Sequence, residues 1–169
     1  MKRQAESDSL ASKDVYDVVV YGGTSAGVVA GVQAARMGRR VVIVEPGRHL
    51  GGLTSGGLGM TDAGDKRVIG GLAREFYRRV RRHYENPASW TWEKREDYRF
   101  MPPGEDALFR FEPHVAEAIY EDMLREAGVA VVRGERLDRA AGVRIEGTAI
   151  RAIAMAGGRV FEGAMFIDA

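Results

Sequence analysis

Cysteine is absent from the 169 residues, which removes disulfides, thiolate metal sites and a cysteine nucleophile together. Any redox chemistry therefore needs a bound cofactor. An excess of charge is missing too: 25 basic residues against 24 acidic ones leave a formal net charge of +1, so no global field recruits nucleic acid or an anionic membrane. No apolar run approaches the roughly 20 residues of a membrane-spanning helix. Residues Met1 to Asp14 are charged and polar with no signal-type apolar segment. They read as a disordered, solvated tail, which makes the cytoplasm the default location. The remaining length suits about one domain with a sizeable core.

The consecutive β-branched residues Val18, Val19 and Val20 suit a strand buried on both faces. Gly22 and Gly23 break it, and Ala26, Val29, Ala30, Gln33, Ala34 and Met37 recur at helical spacing before Gly38. Val41 to Val44 follow as a second buried run, so the unit reads as a strand-helix-strand crossover ending at Glu45. Between Pro46 and Gly71 glycine becomes dense, while Leu, Met and Ile persist and serine stays scarce. That composition favours a backbone passing close to a ligand over a mobile linker.

Helical character returns through Leu72, Phe76, Val80 and Tyr84, with Arg74, Arg78, Arg79, Arg81 and Arg82 outside. Ala88 to Phe111 is aromatic and irregular and reads as a long packed excursion. Pro113 opens a further helix with Val115, Ala118, Ile119, Met123 and Leu124 as its apolar face, stopped by Gly128. Val129 to Val132 make a third short buried strand. Leu137 to Ile145, Thr148 to Met155 and Arg159 to Phe161 read as three antiparallel strands, and Met165 to Ile167 as a last buried one.

The turn Gly22-Gly-Thr-Ser-Ala-Gly27 carries the chemistry. A helix N-terminus presents backbone amides to a pyrophosphate, and glycine lets them approach without an intervening side chain. Glycines at the first, third and sixth places are the usual spacing; here the middle place is Thr24, whose hydroxyl, like that of Ser25, can donate to phosphate. Glu45 falls about 18 residues after Gly27, where an acid binds both hydroxyls of an adenosine ribose and repels a 2′-phosphate. These residues point to a dinucleotide and leave NAD and FAD both open.

The next segment, Glu45-Pro-Gly-Arg-His-Leu-Gly-Gly-Leu-Thr-Ser-Gly-Gly, resembles the acid and Gly-Gly motif of flavoproteins of the glutathione-reductase structural class. With Ala-Arg-Met-Gly at 35 to 38, Phe-Glu-Pro-His at 111 to 114 and Phe-Ile-Asp-Ala at 166 to 169, the span from Asp17 is similar to the N-terminal part of FAD-dependent oxidoreductases. The resemblance implies an α/β, Rossmann-like FAD-binding domain over residues 15–169: a parallel sheet with flanking helices and a three-stranded antiparallel insert. It implies FAD as cofactor, with Gly22, Gly23, Thr24, Ser25, Ala26 and Gly27 at the pyrophosphate and Glu45, followed by Pro46, at the ribose. Gly51, Gly52, Leu53, Thr54 and Ser55 would follow the ribityl chain, and Val131 or Val132 would offer backbone groups to the adenine. Where many relatives place arginines beside the Gly-Gly pair, His49 and Leu53 stand here. The family continues past its last strand with a second FAD segment and a substrate domain, so the chain reads as an incomplete one.

The expected function is the FAD-binding portion of an oxidoreductase acting on a small-molecule substrate, with neither nucleic acid nor membrane as partner. No residue has a catalytic assignment, and the acids Glu93, Glu96, Asp97, Glu105 and Asp106 lack metal-ligand spacing. The arginine run reads as a solvated helix face, His49 as a surface or phosphate-side contact, and Trp90 and Trp92 as core cover. The rivals are a non-catalytic or truncated scaffold and an NAD-dependent dehydrogenase; the latter predicts continuing strand-helix units where Gly51 to Gly71 stand.

Overall fold

A computed structural model describes residues 14–62 and 64–169. Strand β1 (Asp14–Tyr21) runs into helix α1 (Ser25–Arg36), and β2 (Val41–Glu45) returns beside it. A loop with short 3-10 turns leads to α2 (Gly71–Glu85), and the aromatic excursion leads to α3 (Pro113–Ala127) and β3 (Ala130–Arg133). Strands β4 (Val143–Glu146), β5 (Ala149–Ala154) and β6 (Val160–Asp168) complete a single six-stranded sheet in the order β3-β2-β1-β6-β5-β4. β3, β2, β1 and β6 are parallel, whereas β5 pairs antiparallel with both β4 and β6.

The valine runs of β1 and β2 are buried because alternate residues face two different cores. Val20, Val41 and Ile43 pack with Val28 and Val32 of α1, Phe76 and Val80 of α2, and Ile119 and Met123 of α3. Val19, Val42 and Val44 point the other way, against Ile153, Met155 and Phe161 of the antiparallel part. Helices thus cover one face of the parallel strands and the antiparallel part of the same sheet packs against the other, and each fully buried valine contributes about 1.5–3 kcal/mol relative to exposure. Gly128, at φ 71°, ends α3 in the left-handed conformation expected of a helix stop.

Several elements depart from expectation. The tail expected over residues 1–14 lies outside the described residues except for Asp14, which already pairs in β1 opposite Phe161. α1 does not bury the face drawn through Ala26, Gln33 and Met37; it buries Gly27, Val28, Gly31 and Val32, and Met37 is 68% exposed. The reason is close packing: a Cβ on Gly31 would lie 3.1 Å from Ile43 Cδ1, so glycines, invisible to a hydrophobic count, form the contact face. On α3, Ala118 is exposed, while Ala116 and Tyr120 are in the core. β3 is an edge strand and only half-buried. The expected third hairpin strand and last strand are one continuous β6, which crosses from antiparallel pairing with β5 to parallel pairing with β1. Leu137 makes only an isolated bridge to Met155, because Gly142 is packed against the Asp138 and Ala154 carbonyls and the regular strand starts at Val143.

Candidate functional site

The C-terminal ends of β1, β2 and β6 meet at the glycine turn. Gly22, at φ 103°, donates its amide to Val44 O at 2.8 Å, and Ala169 N donates to Tyr21 O at 2.9 Å. A Cβ on Gly22 would lie 2.2 Å from Ala169 O, and one on Gly27 would lie 2.0 Å from Gly22 O, so both positions exclude a side chain. The strand order turns back on itself beside β1, with β2 and β3 on one side and β6 on the other. In α/β sheets that switch point, at the C-terminal strand ends, is where ligands bind.

Thr24 caps α1, its Oγ1 accepting the Gly27 amide at 3.2 Å. The Thr24 hydroxyl proton stays available, and Ala26, in the first helical turn, is exposed. Glu45, at the tip of β2, turns its carboxylate to the glycine turn: Oε2 accepts from Gly23 N and Oε1 from Gly47 N, each at 2.6 Å. A carboxylate carries about four lone-pair sites, so two remain for hydroxyl donors.

The second glycine loop docks directly on the first. Gly51 N donates to Gly23 O at 2.7 Å, and Ser25 Oγ donates to Gly51 O at 2.9 Å while lying 2.6 Å from Thr54 Oγ1. Ser55 Oγ donates to Leu50 O, closing the loop on itself. The structure therefore brings Gly22 to Gly27, Glu45, Pro46 and Gly51 to Ser55 into one neighbourhood. The Ser25 hydroxyl has one proton and gives it to Gly51. Leu53 is 76% exposed. Val131 and Val132 lie on edge strand β3, where Val132 pairs with Val44 next to the Glu45–Arg133 pair.

Residues that the sequence reading did not single out complete the neighbourhood. Leu50 is fully buried and sits where a Cβ on Gly23 would come within 2.4 Å of Cδ2. Glu117 and Tyr120 reach the loop from α3, and His49 contacts Glu117 at 3.1 Å while remaining 79% exposed. Their only sequence signal was the spacing of Tyr120 from Ala116 and Met123 on the buried face.

The set fits the ADP half of a dinucleotide: exposed first-turn amides, a hydroxyl and a carboxylate converge where glycines keep side chains out. A Cβ on Gly52 would first meet Thr24, at 3.4 Å, so the second loop lies directly against the first. Among the described residues of 51–70, short 3-10 turns stand where a plain NAD dehydrogenase predicts continuing strand-helix units.

The aromatic excursion lies elsewhere. Trp90 is packed between Tyr84 and Tyr98, at ring separations of 5.6 and 5.1 Å, and donates from Nε1 to Tyr84 O. Trp92 is not core cover: it is 94% exposed, because its short irregular stretch turns it outward. A cavity of about 350 Å³ lies between Trp90, Trp92, Tyr98, Leu108, Arg110 and Glu112, and none of the cofactor-site residues line it. The arginine run is not one solvated face: Arg78 and Arg82 are exposed, but Arg74, Arg79 and Arg81 are 18%, 20% and 12% exposed because carboxylates and neighbouring elements cover them, Arg74 and Arg78 meeting Asp106 and Arg79 meeting Glu75 and Glu126. No described helix is long and apolar enough to cross a membrane.

A six-stranded sheet of this order with its glycine turn defines a dinucleotide-binding α/β domain. The family model described as FAD dependent oxidoreductase matches residues 17–169, and the chain belongs to that family. The cofactor of this family is FAD.

Similar folds occur in a flavin-containing monooxygenase from Stenotrophomonas maltophilia, with 18% identity and a TM-score of 0.54 over 92% of this chain and 38% of that one. They also occur in L-proline dehydrogenase from P. horikoshii, with 14% identity and a TM-score of 0.55 over 93% of this chain and 53% of that one. Thioredoxin reductase from Streptococcus pyogenes has 18% identity and a TM-score of 0.53, over 93% and 35%. A curated relative, vinyl phenol reductase of Lactiplantibacillus plantarum, is 48% identical over 44 residues, which is 26% of this chain and 9% of that protein. The chain spans little more than half, or less, of each of these proteins.

Proposed function

We propose that this chain is the FAD-holding portion of an oxidoreductase that moves a hydride or electrons between a small-molecule substrate and an acceptor. Its setting in this reading is cytoplasmic, with neither nucleic acid nor membrane as partner. Bound FAD supplies the redox chemistry, and this chain's residues bind and orient it. The backbone amides of Thr24, Ser25 and Ala26, with the Thr24 hydroxyl, hold the pyrophosphate where Gly22, Gly23 and Gly27 keep side chains out, and the free lone pairs of Glu45 take the ribose hydroxyls. Gly51 to Ser55 follow the ribityl chain, and the edge strand at Val131 and Val132 faces the adenine. Because Ser25 gives its hydroxyl proton to Gly51, the amides carry the phosphate contact.

The observation that supports this reading most is the contact of Glu45 with Gly23 at 2.6 Å, which puts the ribose acid at the N-terminus of α1. The test is reconstitution of the 169-residue chain with FAD. Retained flavin absorbance after desalting, lost in Gly22→Val and reduced in Glu45→Ala, is expected. A colourless chain that takes up no added FAD sinks the reading.

A further inference from the structure

The second glycine loop is held from behind as well as by the first turn. Two side chains of α3, one helical turn apart, reach it. Glu117 Oε1 accepts the Leu50 amide at 3.0 Å, and the same carboxylate meets His49 Nδ1 at 3.1 Å. Tyr120 is 4% exposed, and a Cβ on Gly51 would lie 2.9 Å from its ring. That ring packs directly on the loop backbone, and burial pushes the phenol's pKa up, so it stays neutral.

Ser25 Oγ gives its proton to Gly51 O, so the 2.6 Å contact with Thr54 is donated by Thr54. This hydroxyl pair ties the loop to the first residue of α1, while Glu117 and the Tyr120 ring support the loop from α3.

We propose that Tyr120 and Glu117 are positioning residues for the cofactor, holding Gly51 to Ser55 in place for the flavin half of FAD. The inference rests on the FAD reading above. Gly51 and Gly52 both have positive φ, 98° and 54°, and so belong to a segment with much conformational freedom to lose. Ordering it before binding removes that cost from the ligand. The first turn has its own supports, Gly22 to Val44 and Gly23 to Glu45, which do not involve α3. Loosening the clamp therefore weakens FAD more than ADP.

The experiment uses the full chain and its variants Tyr120→Leu, Glu117→Ala and Glu117→Gln, with FAD affinity read by flavin fluorescence, ADP affinity by calorimetry and folding by circular dichroism. Tyr120→Leu, which removes the ring beneath Gly51, and Glu117→Ala, which removes the acceptor of Leu50 N, are expected to weaken FAD about fivefold to tenfold, with ADP affinity held within about twofold. Glu117→Gln keeps an oxygen for Leu50 N and recovers most of the affinity. A Glu117→Ala chain that folds and binds FAD as the wild type does, or loses FAD and ADP equally, overturns the inference while the FAD reading stands. A wild-type chain that binds neither nucleotide overturns both.

Discussion

Glu45 accepts the backbone amide of Gly23 at 2.6 Å, joining residues 22 apart across the β1-α1-β2 crossover. The same carboxylate takes Gly47 N, so one side chain satisfies donors from both ends of the site. Removing it leaves two amides without their charged acceptor, each such bond being worth about 1.5–3 kcal/mol. Glu45→Ala is expected to lower the melting temperature and to weaken FAD by at least about tenfold. Thermal unfolding and FAD titration check it, and an unchanged Kd would remove Glu45 from the site.

Gly23 is constrained by packing and not by its backbone angle. A Cβ there meets Leu50 Cδ2 at 2.4 Å and Glu45 Oε2 at 3.0 Å, and Leu50 is fully buried. Gly23→Ala is expected to cost about 1–3 kcal/mol in denaturant unfolding. Gly157→Ala is the control, since its nearest neighbour would be Glu135 Oε2 at 3.7 Å. It should be neutral or stabilising by about 0.4–1 kcal/mol. Equal effects at the two positions would contradict the packing argument.

Three helices share an ion-pair network: Arg36 of α1 and Arg79 of α2 meet Glu75, and Arg79 also meets Glu126 of α3. The hydrogen bond from Arg36, followed by those of Arg79, holds Glu75 down from 4.5 to about 2. A depressed carboxylate pKa adds stability above the unfolded value, and that stability is lost as pH falls through the folded one. Partial exposure reduces the gain to about 1–2 kcal/mol. Glu75→Gln should therefore be less stable by that amount at pH 7, and the gap should close between pH 4.5 and about 2. A gap that persists at the acid end would exclude the ionic origin.

Trp90 and Trp92 are two residues apart and physically unlike. Trp90→Ala removes ring contacts with Tyr84 and Tyr98 and the bond to Tyr84 O, and should cost about 2–3 kcal/mol. Trp92, 94% exposed, should change stability by less than about 0.5 kcal/mol on the same substitution. Chemical unfolding of the two variants, with fluorescence from the tryptophan each retains, checks both.

The linear pattern revealed much of this molecule because short-range rules governed those parts. Consecutive valines can be satisfied only inside a covered parallel sheet, and glycine after a strand with small residues beyond it can only turn into a helix at close quarters. The crossover, the Glu45 tip, the α2 stripe of Phe76, Val80 and Tyr84, and the stop at Gly128 all follow from such rules. The buried face of α1 did not, since its contact residues include Gly27 and Gly31, which carry no hydrophobic signal.

Residues 14–169 alone thus announce an α/β dinucleotide fold with two glycine loops, because backbone freedom and β-branching act within a few residues of where they are written. Three things needed contacts between residues far apart in the chain. These are the fusion of two expected strands into β6, the split between Trp90 and Trp92, and the commitment of the Ser25 hydroxyl to Gly51 and Thr54. A hydroxyl in a glycine turn looks the same in sequence whether it faces a phosphate or a backbone carbonyl. Only the docking of the second loop on the first determines which way its proton goes.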